Sequence, residues 1–145
     1  MKKILLLLIT AVSLSSISAL AAPETIKGTI SLSPKLAGKV SPTDTVFILA
    51  RAAQGPRMPI AVLRKQVKDL PMEFELDDSM AMRSQVKISD FDQVRVAARI
   101  SKSGGAITKP GDYEGVSPAI TPGTEGLNIV IDTEILSSSK TSLSL

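Results

Sequence analysis

The run Val94-Arg95-Val96-Ala97-Ala98-Arg99-Ile100-Ser101 decides the fold class. Val94, Val96, Ala98 and Ile100 alternate with Arg95, Ala97, Arg99 and Ser101, a period of two that belongs to a strand with one face on a core and the other in water. The larger apolar set predicts Val94, Val96, Ala98 and Ile100 inside and Arg95 and Arg99 outside. Ser103-Gly104-Gly105 ends the strand.

Working outward, Met72, Phe74 and Leu76 alternate with Glu73, Glu75 and Asp77, so a second strand carries one apolar and one acidic face. Upstream, Val46-Phe47-Ile48-Leu49 within Thr45 to Ala52 reads as a strand buried on both faces, broken by Gln54-Gly55-Pro56. Pro59 to Val67 forms the next, and Asp69 to Pro71 turns the chain. Ile26, Ile30 and Leu32, alternating with Lys27, Thr29 and Ser31, make the first strand. Ser33 to Pro42, with two prolines and a glycine, leads out of it. Val86 and Ile88 suggest a short strand, followed by one helical turn at Ser89-Asp90-Phe91-Asp92. Ala106 to Gly126 is a long Pro/Gly-rich loop with a short strand near Val116, and Leu127 to Ile135 supplies the last strand. Six or seven short strands without a periodic helix predict an all-β, two-sheet sandwich.

The first residues carry an export signal: Lys2 and Lys3, an apolar run from Ile4 to about Leu20, and the small-residue site Ala19-Leu20-Ala21. Serines at 13, 15, 16 and 18 dilute the run below a spanning helix. Cleavage after Ala21 or Ala22 leaves one domain over residues 22–136 with no membrane span, and a polar, serine-rich tail over 137–145. Removing Lys2 and Lys3 takes away most of the formal charge of +3. No nucleic-acid partner therefore follows from charge.

The chain has no cysteine and no histidine, which removes Ser-His-Asp and Cys-His nucleophiles, thiolate or imidazole metal sites and C-x-x-C-H haem attachment. No cofactor is expected. Glu73 and Glu75 read as a solvated strand face rather than a glycosidase pair, because no aromatic cleft accompanies them. The remaining chemistry is methionine: Met80-Ala81-Met82 places two thioethers on one side if extended, and soft thioethers can hold Cu(I). A periplasmic copper-binding protein using Met80 and Met82 is thus the alternative function.

Five segments together resemble one family. They are Thr45 to Ala53, Met58-Pro59-Ile60-Ala61-Val62, Leu76-Asp77-Asp78-Ser79-Met80-Ala81-Met82, Ala98 to Gly104, and Pro110-Gly111-Asp112-Tyr113-Glu114-Gly115. In this order and spacing the chain resembles, from about Thr25 to Ile135, the C-terminal periplasmic domain of the cytochrome c-type biogenesis protein CcmI, also called CycH. The resemblance implies an immunoglobulin-like sandwich. It also implies a non-enzymatic periplasmic binding or accessory role in cytochrome c maturation, with maturation components or apocytochrome c as protein partners. The family-like loop and strand-end residues Asp77, Asp78, Ser79, Met80, Met82, Arg99, Ser101, Lys102, Pro110, Gly111 and Asp112 are the candidate partner-binding positions. Their structural roles are also plain: Asp78 and Ser79 can satisfy turn backbone groups, and Gly111 can supply a positive φ.

Overall fold

The computed structural model describes residues 24–55 and 58–136. The expected export signal and the serine-rich tail lie outside the described residues. Eight strands form two sheets: β1 (Ile26–Leu32), β2 (Thr45–Ala52), β3 (Pro59–Gln66), β4 (Met72–Leu76), β5 (Val94–Ser101), β6 (Tyr113–Val116), β7 (Leu127–Ile131) and β8 (Thr133–Glu134). One sheet runs β4-β1-β7 and the other β3-β2-β5-β6-β8. All pairings are antiparallel except β1 with β7. Short 3₁₀ turns interrupt the strands, and no α-helix occurs among the described residues.

Val94, Val96, Ala98 and Ile100 have no exposed surface and join Val46, Ile48 and Ala50 of β2 in the core against Ile26, Ile30, Phe74 and Leu76 of the facing sheet. The expected register of β5 is the observed one. The two-sided burial of β2 also holds, since Phe47 is buried on the face away from that core. Gly28 lies in the inward row of β1, and a Cβ there would collide with the Leu127 carbonyl of β7, so the parallel pairing needs a glycine at that position.

Three expectations are corrected. The last strand is two: β7 belongs to the three-stranded sheet, and after Asp132 the chain crosses as β8 to the other sheet. Gly115 of β6 makes this crossing compact, because a Cβ there would overlap the Val130 carbonyl. Second, Val86 and Ile88 form no regular strand. Val86 makes an isolated bridge to Arg83, and Ile88–Asp90 is a 3₁₀ turn whose Ile88 is in the core. The Asp90 carboxylate accepts from the Lys87 N–H at 2.9 Å, so the capped turn starts two residues earlier than the sequence suggested. Third, Arg99 leaves the core face as expected but is 4% exposed. The chain beyond β5 folds back over it.

Candidate functional site

The candidate residues separate into two groups at opposite ends of the five-stranded sheet. The first follows β4. The Asp77 carboxylate accepts from the Ser79 N–H at 2.8 Å and from the Ser79 hydroxyl, capping the 3₁₀ turn Asp78–Met80. Asp78 reaches eleven residues on and accepts from the Ser89 hydroxyl at 2.7 Å and the Ser89 N–H at 3.1 Å. Partial burial pushes the Asp78 carboxyl up, but the Ser89 side chain and backbone, the Ile88 N–H and the Lys87 charge outweigh it and hold it below 3.8.

Because this carboxyl is depressed on folding, its contribution is present above the unfolded value and is lost as pH falls through the folded one. Asp78→Asn is therefore expected to cost about 1 kcal/mol at pH 7. The difference from the parent should shrink between pH 7 and a pH below the lowered folded-state value, where Asp78 itself is protonated. Urea unfolding at the two pH values reads this, and an equal difference at both would remove the hydrogen-bonded carboxylate from the account.

Met80 packs against the core while Met82 is 62% exposed. Met80 belongs to the 3₁₀ turn, so the backbone is not extended through both residues as the Met80–Met82 copper pair assumed. Beyond the turn, the Met82 N–H bonds the Ile60 carbonyl at 2.9 Å. This places Met82 beside an apolar groove of about 230 Å³ whose lining includes Met58, Ile60, Val86 and Phe91. Sequence reading placed Met58 within a family-like segment and did not see this groove, whose walls join Ala52 and Gln54 at the end of β2, Met58 to Ile60 at the start of β3, and Arg83, Val86 and Phe91 from the chain between β4 and β5.

The second group surrounds a buried ion pair. Arg99 Nη1 meets Asp112 Oδ2 at 2.8 Å, and Arg99 Nη2 donates to the Ala106 carbonyl at 2.5 Å. Asp112, 2% exposed, also accepts from the backbone N–H groups of Lys109 at 3.0 Å and Lys102 at 3.4 Å. The Arg99 guanidinium lies 5.1 Å from the centre of the Phe47 ring. Ser101 is fully buried, Gly111 has φ +90°, and only Lys102 and Pro110 of this group are exposed. The Lys102 ammonium lies 5.1 Å from the Tyr113 ring centre. Arg99 and Asp112 thus pin the loop to the outer sheet face; they do not offer a free surface. Among the described residues no group of three or more acidic, histidine or cysteine side chains is placed to hold a metal.

The family described as the cytochrome c-type biogenesis protein H Ig-like domain matches residues 26–132, from the first residue of β1 to the crossing after β7. The chain belongs to this family. The cytochrome c-type biogenesis protein CycH of Pseudomonas aeruginosa is 46% identical over 88 residues, covering 61% of this chain and 22% of that protein. An uncharacterized protein of Aquifex aeolicus is 31% identical over 109 residues, covering 74% of this chain and 69% of that one. Among solved structures, an alternative pilotin of the type II secretion system of Vibrio cholerae aligns with a TM-score of 0.46 and 17% identity over 74% of this chain and 93% of its own. The CycH immunoglobulin-like sandwich expected from the resemblance is the fold found here. This CycH-like domain spans a small part of its Pseudomonas relative, and no helix among the described residues is long and apolar enough to cross a membrane.

Proposed function

We propose that this chain is a non-enzymatic, exported binding or accessory domain that assists cytochrome c maturation through contact with another protein. The match to the CycH immunoglobulin-like domain over residues 26–132 carries this reading. The partner is a cytochrome c maturation component or an apocytochrome c. Its contact surface is the Asp77 to Met82 turn together with the groove beside it, where Met58 is 52% and Met82 62% exposed. Unbranched thioethers suit a surface that must adapt to an apolar partner segment.

Asp77, Asp78 and Met80 hold the turn itself, so replacing them reads folding as well as binding; Met58 and Met82 are the cleaner probes. Tagged protein should recover a maturation component or an apocytochrome from periplasmic extract. Met58→Glu with Met82→Glu should reduce that recovery several-fold at an unchanged melting temperature, since both side chains project from the fold. Recovery unaffected by the pair, or without any maturation protein, would count against the reading. N-terminal sequencing tests export separately: the mature chain is expected to start at Ala22 or Pro23, and an intact chain starting at Met1 in membranes would refute cleavage.

A further inference from the structure

The outer face of the five-stranded sheet is patterned by register. Val62, Leu49, Ala97 and Val116 stand side by side across β3, β2, β5 and β6. On one side of this apolar row lies the row Arg64, Phe47, Arg99 and Glu114; on the other, Arg51 of β2 stands directly opposite Arg95 of β5. Two like charges placed opposite each other on adjacent strands are unfavourable. Both are half-buried. Arg51 meets Glu114 at 3.5 Å and Arg95 donates to the Ser117 carbonyl at 3.3 Å, which among the described residues engages a minority of their N–H donors. Together they line a cavity of about 190 Å³ closed by Ala53 and by Gly55, whose φ is +97°. Arg99 is paired with Asp112 and Arg51 with Glu114, so among the described residues Arg64 and Arg95 are the arginines of this face without a carboxylate partner.

We propose that this face binds an acidic, partly apolar segment of a partner protein. A carboxylate enters between Arg51 and Arg95, and an adjacent apolar side chain lies on Leu49, Val62 and Val116. The guanidinium fork matches a carboxylate bidentately. The exposed Val116, 44% accessible, argues for a polypeptide rather than a free ion, because an inorganic anion gains nothing from the apolar row. The cavity adjoins the groove beside Met82, with which it shares Ala52, but Arg51 and Arg95 line only the cavity, and the proposal does not rest on the cytochrome-maturation reading.

The test is an NMR titration of the full chain with a short peptide alternating glutamate and leucine, its glutamine counterpart, and inorganic phosphate. The acidic peptide should shift the signals of Arg51, Arg95 and Val116. Arg51→Gln, Arg95→Gln and the exposed Arg64→Gln should each weaken it, the first two by about tenfold, without lowering the melting temperature. Arg64→Gln keeps the test open should a variant at the central pair fail to fold. No shifts at these residues, equal affinity of the variants, equal binding of the glutamine peptide, or binding of phosphate with no gain from the peptide would each overturn the proposal.

Discussion

Val96→Asp should abolish cooperative folding. Val96 has no exposed surface, lies in the central strand β5 and packs in the core between the sheets, so an aspartate there puts a carboxylate where no donor is available to meet it. The cost of such a group, about 4 kcal/mol or more, is comparable to the whole stability of a small domain, about 5–15 kcal/mol. Without cysteines there is no disulfide to hold the chain together once the core is breached. Val96→Ala should instead lower stability by about 1–3 kcal/mol and keep a single transition, because it removes packing without stranding a charge. Thermal and urea unfolding distinguish the three proteins. A parent-like melting temperature for Val96→Asp would mean that the register of β5 is wrong.

The second large effect is at the buried ion pair. Asp112→Ala strands the Arg99 guanidinium at 4% exposure and removes the acceptor for two backbone N–H groups, those of Lys102 and Lys109. The expected cost is about 3–5 kcal/mol. Arg99→Met with Asp112→Leu should recover part of this, since replacing both charges removes the desolvation penalty. Full recovery is not expected, because the two backbone donors still lack their partner. A double-mutant cycle on Arg99 and Asp112 should give a coupling of about 2 kcal/mol or more. Additivity within about 0.5 kcal/mol would show that the loop is held by something other than this pair.

Arg99 also shows where strand reading stops. Alternation placed it correctly on the face opposite Val96 and Ala98, yet it predicted solvent where the structure has burial. The side-chain period says which way a residue points and nothing about what lies above it. The cover comes from Ala106, Lys109 and Asp112, whose loop returns only because Asp112 can satisfy the arginine and two backbone donors at once. Met80 and Met82 fail differently. Their shared side assumed extended backbone, and the Asp77 cap winds that backbone into a 3₁₀ turn. A local signal for the turn was available in Asp77, Asp78 and Ser79, and it competed with the strand pattern running in from Phe74 and Leu76. The split of the last strand had a local signal in the polar run Asp132-Thr133-Glu134 after Ile129-Val130-Ile131, but nothing in it says that the chain changes sheets there.

By itself the sequence determined the all-β class, the positions of β1 to β5 and the inward faces of β1, β4 and β5, because these follow from apolar runs and a period of two written into neighbouring residues. It also carried the family, through five separated segments in a set order. The tertiary structure alone decided which strands are neighbours, including the parallel pairing of β1 with β7. It alone decided that Arg99 meets Asp112, that Arg51 faces Arg95, and that Met58 and Phe91 share a groove. These contacts join residues that are distant along the chain, and their formation depends on the packing of the whole sandwich rather than on the preference of any one segment.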